Sequence, residues 1–293
     1  MTQELIQSNQ YGAINQRKIN DIAILDISHV NHNASLSLYG GQVLSWQPSG
    51  EQEVFWLSDS ADFSYGKAIR GGIPICWPWF GANLDEQGIN GGNHGFARTS
   101  LWQLIDSEIN KQGVSLTLEL VGEDRHPLWP AQFKVTQQLF FGSEFSQQLT
   151  MENLSNQDVQ YTTAVHSYFA VSAPENVTAP ELSSVYFDDK LTGLSAQQTA
   201  LVNCVGPIDR IYHTSENQQI IDAQWQRKIL IETQHCQQYV LWNPGKETAS
   251  TMDDIHTGGE NEYVCLEAAN TNWQLIKAGE QTSIKQKVSL ESL

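Results

Sequence analysis

Val114-Ser115-Leu116-Thr117-Leu118-Glu119-Leu120 puts an apolar side chain at every second position and a polar one between. In an extended chain successive side chains point to opposite faces, so this period of two predicts a strand with one buried and one wet face. Similar runs recur at 24–30, 34–46, 133–141, 159–171, 229–232, 239–242, 263–268 and 284–290. No long stretch keeps the apolar spacing of an amphipathic helix. Turn formers stand between the runs, as at Gly40-Gly41, Gly91-Gly92, Asn243-Pro244-Gly245 and Gly258-Gly259. Many strands joined by loops predict an all-β fold, a large antiparallel β-sandwich of two stacked sheets. With no Ser/Gly/Pro-rich linker and no fixed repeat, residues 1–293 are expected to form a single domain. A chain of this length can bury its own core without metal or disulfide.

The 33 acidic residues outnumber the 16 basic ones, a net charge of -17 that repels phosphate backbones and anionic lipid over most of the surface. Nucleic acid and membranes are therefore poor partners, and the first residues, Met1-Thr-Gln-Glu-Leu5, lack the basic start and apolar stretch of a secretory signal. The expectation is a cytoplasmic protein, a monomer or weak homo-oligomer, acting on a small molecule without a cofactor. If that molecule is an anion, the few cations must gather at one site. Cys76, Cys204, Cys236 and Cys265 form no C-x-x-C pair and read as reduced core thiols. The many glutamines, such as Gln137-Gln138 and Gln147-Gln148, read as residues of a solvated sheet face.

Chemistry-bearing residues are densest in Lys67-Ala-Ile-Arg70-Gly-Gly-Ile-Pro74-Ile-Cys-Trp77-Pro-Trp79-Phe80-Gly81. Its glycines let backbone approach a ligand, its prolines stiffen the loop, and Arg70 can grip a phosphate or carboxylate with two parallel hydrogen bonds. Trp77, Trp79 and Phe80, taken alone, read as core, whereas Arg70 reads as a ligand contact. Asn93-His94-Gly95-Phe96-Ala97-Arg98 adds an amide, an imidazole and a second guanidinium. If extended, it would bring His94 and Arg98 to one face.

His166 follows the apolar run 161–165, so it stands at a strand end where a pocket can form. Glu267 lies inside the hydrophobic run 263–268, where a carboxylate is costly unless paired and where burial raises its pKa toward the range of a general base. Asp209 is a further polar candidate, whose simpler reading is a bridge to its neighbour Arg210; Trp242 is a candidate sugar platform or a core residue. Metal chemistry has little support, since His29 and His32 fall on a strand and loop and the other histidines are isolated. The chain has no H-E-x-x-H, G-x-S-x-G or G-x-x-x-x-G-K motif.

Taken in order, Gly41-Gln-Val-Leu-Ser-Trp46, Arg70-Gly-Gly-Ile-Pro74, Trp77-Pro-Trp-Phe-Gly81, Asn93-His-Gly-Phe-Ala-Arg98, His166-Ser-Tyr-Phe169, Asp209-Arg-Ile-Tyr212, Trp242-Asn-Pro244 and Cys265-Leu-Glu267 resemble the aldose 1-epimerase superfamily. They are most similar to its branch of glucose-6-phosphate 1-epimerases, the hexose-6-phosphate mutarotases. The resemblance implies a galactose-mutarotase-like sandwich, a general acid at His166 and a general base at Glu267. It also implies substrate contacts from Arg70, Arg98 and the residue at 93, with Asp209 at the matching aspartate. The family more often has Gln before the His-Gly pair, where this chain has Asn93. His94 is a candidate donor to sugar hydroxyls, and Lys67 is placed beside the phosphate by charge and position alone. Three other readings stay open from sequence: mutarotation of unphosphorylated aldoses, a non-catalytic carbohydrate-binding sandwich, and glycoside hydrolysis, which normally needs two flanking carboxyl groups.

Overall fold

Val114–Gly122 is one strand of an eight-stranded antiparallel sheet, and Val114, Leu116, Leu118 and Leu120 are its buried positions, as the alternation predicts. The structure, a computed structural model, describes residues 3–84 and 88–293. The sheet runs from Val177–Thr178 at one edge through Gln281–Ser292, Phe145–Asn153 and Phe133–Phe141 to Gln103–Ile109 at the other. A second sheet orders Ile208–Tyr212, Gln238–Asn243, Tyr263–Ile276, Val159–Val165 and Ile75–Cys76 side by side. Five further strands, from Glu4–Asn9 to Gln42–Pro48, pair in sequence order as a meander. One apolar core joins all three, taking Leu118 and Leu149 from the first sheet, Leu241 and Leu266 from the second, and Leu36 and Trp46 from the meander. The all-β sandwich expected from the sequence is the fold observed.

Tyr263–Ile276 is buried on both faces over its first eight residues. Val264, Leu266 and Ala268 belong to the shared core, so the alternating positions Cys265, Glu267 and Ala269 point to the opposite face. Small apolar clusters close that face, one of them built from Cys76, Ala164, Val240 and Ala269. Glu267 is thus placed on the outer face by the same period of two that puts Leu266 inside.

Two predicted runs are each split in the structure. Residues 34–46 divide into His32–Ser37 and Gln42–Pro48, because Gly40 and Gly41 take φ of 82° and 56° and turn the chain. Residues 159–171 divide into Val159–Val165 and Tyr168–Ala170, where the Ser167 amide bonds back to the Val165 carbonyl at 2.9 Å. The second break is where His166 stands.

The glutamine expectation is corrected. One member of each pair is solvent-facing or half-buried, but Gln137 and Gln147 are enclosed in the sandwich, because neighbours along a strand face opposite ways. Together with Gln286 they form a one-way relay: Ser167 Oγ donates to Gln286, Gln286 to Gln147 at 2.9 Å, Gln147 to Gln137 at 2.6 Å, and Gln137 to the Gly41 carbonyl at 2.6 Å. Gln147→Leu would strip a partner from each neighbour, and every buried polar group left bare costs about 1 to 3 kcal/mol. Urea unfolding should therefore show a loss of more than about 2 kcal/mol; a neutral result would mean the relay contributes little.

Candidate active site

Strand register brings the two titratable candidates together. Ala164 pairs with Ala269 and Val165 with Ala268, so His166, one step further, arrives across from Glu267. His166 Nε2 lies 3.3 Å from Glu267 Oε1, with side-chain exposures of only 9% and 1%. The other polar atom of each, His166 Nδ1 and Glu267 Oε2, is buried without a hydrogen-bond partner. Adjacent strands extend the same face. Val240 stands opposite Glu267, and Trp242 opposite both Cys265 and Asp209. His166, Glu267, Val240, Trp242 and Asp209 line a pocket of about 380 Å³ that also receives Arg70, Asn93, His94, Arg98, Lys190 and Phe80.

Arg70 comes from a segment that lies beside His166. The His166 amide donates to the Pro74 carbonyl at 3.0 Å and the Tyr168 amide to the Gly72 carbonyl at 2.9 Å. Gly72 sits against the meander with φ of 61°, where a Cβ would stand 2.0 Å from the Val43 carbonyl oxygen, so only glycine allows this approach. The Arg70 guanidinium is fixed by Asp254, 3.1 Å away, and by the Tyr168 hydroxyl, which accepts from Nη1 at 2.8 Å. Arg98 Nη2 donates to the Asn93 carbonyl at 2.9 Å, and Arg98 has no carboxylate partner among the described residues. Both arginines also line an adjoining cavity of about 500 Å³. They therefore stand at the junction of two hollows, one of which holds His166 and Glu267.

The Asn93–Arg98 segment is not extended. His94 adopts a left-handed φ of 66°, and a 3₁₀ turn follows at Ala97–Thr99. His94 and Arg98 still reach the pocket, whereas Phe96 packs into the core against Trp77 and Phe133. His94 Nδ1 accepts the Gly81 amide at 3.1 Å, which leaves the ring proton on Nε2. Burial, with Arg98 and Arg70 nearby, lowers the His94 pKa to about 3, so this ring is a neutral donor.

Burial sets the charge state of the pair. It drives the His166 pKa well below the usual imidazole value, aided by the nearby His94, Arg98 and Arg70. It drives the Glu267 pKa well above the usual carboxylate value, a shift that nearby Asp209 reinforces and Arg98 opposes. Both shifts favour the uncharged forms, a neutral imidazole beside a neutral carboxyl. That state holds as many protons as an imidazolium beside a carboxylate, and one proton shift across 3.3 Å converts one into the other.

The remaining candidates divide. Asp209 does not bridge to Arg210, which binds Asp189 at 3.0 Å; it lines the pocket instead, and burial raises its pKa. Trp77 and Trp79 are core, while Phe80 and Trp242 reach the pocket. Lys67 lies only in the adjoining cavity, largely exposed and paired with Asp62 at 2.5 Å. All four cysteines are free and buried. Sequence reasoning missed Lys190, which lines the pocket from just past Tyr186–Asp189 with its amide on the Asp209 carbonyl at 2.8 Å; no motif or pattern marks it. A roomier cleft of about 1020 Å³ beside Trp129 and Trp273 has no histidine or basic residue among the described lining residues, so chemistry favours the smaller pocket.

The sequence model of the family described as aldose 1-epimerase matches residues 24–289. The chain belongs to the aldose 1-epimerase family. Within this family it is 34% identical, over 87% of its own length and 86% of the relative's, to a protein of Escherichia coli named "Putative glucose-6-phosphate 1-epimerase". A solved structure from Salmonella typhimurium, titled a putative mutarotase, superposes with a TM-score of 0.89 at 31% identity, covering 98% of this chain and 96% of that one. The galactose 1-epimerase of Lactobacillus acidophilus shares the fold at a TM-score of 0.73 and 9% identity, covering 99% of each chain. The expected galactose-mutarotase-like architecture is thus the one that this family member has.

Proposed function

We propose that the protein interconverts the α and β anomers of a hexose 6-phosphate, glucose 6-phosphate foremost, by acid/base-catalysed opening and reclosure of the pyranose ring. The observation that carries this reading is the buried contact between His166 and Glu267 in a pocket shared with Arg70 and Arg98. Epimerase chemistry of the family supports the reaction type, and the relatives' names support the phosphorylated substrate. The core shared by all three sheets supports treating residues 1–293 as one domain.

Ring opening removes the proton of the anomeric hydroxyl and delivers one to the ring oxygen. In this reading Glu267, as carboxylate, takes the first, and His166, as imidazolium, gives the second. Rotation about the bond between carbons 1 and 2 then turns the other carbonyl face, and the roles reverse on closure. His166 and Glu267 both line the pocket in which the sugar ring would sit. His94 and Asp209 would hold ring hydroxyls, and Trp242 offers a flat apolar wall. Arg70 and Arg98 would hold the phosphate away from the reacting carbon, with Asn93 at the rim.

Polarimetry after dissolving a single anomer tests the proposal: decay should accelerate for glucose 6-phosphate more than for glucose, with galactose 6-phosphate as the stereochemical comparison. A protein that binds these sugars without acceleration would be a carbohydrate-binding sandwich, and one that cleaves chromogenic glycosides would be a hydrolase. The pH dependence is a second test. With protonation of His166 displaced downward, the acid limb of kcat should lie below about 6.5, the ordinary imidazole value. A limb at or above that value would contradict the buried neutral imidazole.

A further inference from the structure

We propose that Tyr168 is a positioning residue that ties the Arg70 guanidinium to the His166 imidazole, so that an anion held by Arg70 sets the placement of His166. The proposal rests on the reading of Arg70 as an anion-binding residue, and concerns how that site governs its own acid/base group.

Among the described residues His166 Nδ1 has no hydrogen-bond partner, and the polar contact that fixes the ring is that of Nε2 with Glu267. A ring held at one point can pivot unless its flat face is clamped. Tyr168 clamps it: the two rings lie 4.8 Å apart, inclined by 8°. His166 and Tyr168 flank Ser167 at the break between Val159–Val165 and Tyr168–Ala170, which brings their rings together. Tyr168 is itself held by Trp56, ring to ring at 5.9 Å, and by Tyr263 at 5.0 Å. Trp242 meets both His166 and Tyr168 edge to face, at 5.9 and 6.0 Å. Only 2% of Tyr168 is exposed, and its hydroxyl accepts from Arg70 Nη1 at 2.8 Å.

The backbone repeats the link. His166 and Tyr168 donate their amides to Pro74 and Gly72, the residues that follow Arg70 in the same segment. A shift of the guanidinium toward an anion therefore acts on Tyr168 at its hydroxyl, and closely packed rings transmit such a shift to the imidazole rather than absorb it. Asp254, on the other side of Arg70, supplies the pull that an incoming anion must share.

Tyr168→Phe keeps the ring stack and removes the bond to Arg70, while Tyr168→Leu removes both. For glucose 6-phosphate, Tyr168→Phe should raise KM about tenfold, as expected for a lost hydrogen bond to a charged group, with a smaller fall in kcat. Tyr168→Leu should lower kcat further than Tyr168→Phe. Inorganic phosphate provides a readout independent of turnover. The His166 ring signals in an NMR spectrum, identified by their loss in His166→Asn, should move when phosphate binds the wild-type protein. In saturated Tyr168→Phe they should move severalfold less. An unresponsive His166 in the wild type, an undiminished response in Tyr168→Phe, or rates that fall only in proportion to the folded fraction at unchanged KM would each overturn the proposal. A wild-type protein without anomer exchange but with the phosphate response intact would refute the proposed function and leave this coupling standing.

Discussion

Glu267→Gln is expected to slow catalysed anomer exchange of glucose 6-phosphate by about 10²- to 10⁴-fold, the usual contribution of a positioned proton-transfer group. Glutamine matches the carboxyl in shape but cannot take a proton from the anomeric hydroxyl. His166→Asn should lose a similar factor, because an amide cannot deliver a proton to the ring oxygen. Stability separates this loss from misfolding. The native Glu267 carboxyl holds its proton to higher pH than the unfolded chain does. It therefore favours folding below the unfolded value, and that contribution drains away as pH rises from there toward the native value. Glutamine does not titrate, so the stability of Glu267→Gln relative to the wild type should climb over that window, by at most about 1.4 kcal/mol per pH unit. Thermal melts between pH 5 and pH 8 read the trend. Near-normal exchange in either variant would end the acid/base assignment, and a falling stability difference would contradict the neutral buried carboxyl.

Removing an arginine should reduce discrimination for the phosphorylated sugar. A hydrogen bond to a charged group contributes about 1.5 to 3 kcal/mol, so Arg98→Ala should lower kcat/KM for glucose 6-phosphate by about 10- to 150-fold. Any activity on free glucose should fall much less. Arg98 is the cleaner choice, since its side chain bonds to the Asn93 carbonyl and to no carboxylate among the described residues. Arg70→Ala should show the same selectivity loss with reduced stability, because it strands Asp254 and the Tyr168 hydroxyl. The ratio of the two substrates' kcat/KM values cancels any change in folded fraction. An unchanged ratio in both variants would remove the phosphate-binding role.

What the sequence disclosed tracks how local the determining physics is. The alternation through Val114–Gly122 needs only the two-residue period of a strand, and it marks the buried face correctly. The carboxylate at 267 within an apolar run signals its own burial, and the structure encloses it. The meeting of His166 and Glu267 depends on which strands pair and in what register, which no local pattern states. The glutamine relay hides for a related reason: residues 137, 147 and 286 lie on three strands, and composition alone suggested solvent. Lys190 is an ordinary surface residue in sequence, drawn to the site by a loop that no periodicity governs. The motif-rich segments around Arg70 and His94 were conspicuous, but the left-handed turn at His94 was not.

The central claim is that one buried imidazole and carboxyl pass protons at a phosphorylated hemiacetal. Two-dimensional exchange NMR on equilibrated glucose 6-phosphate measures this without coupling enzymes. The account predicts cross-peaks between the α and β anomeric protons that grow in proportion to added protein and vanish with Glu267→Gln. Exchange no faster than in buffer at any protein concentration would contradict it.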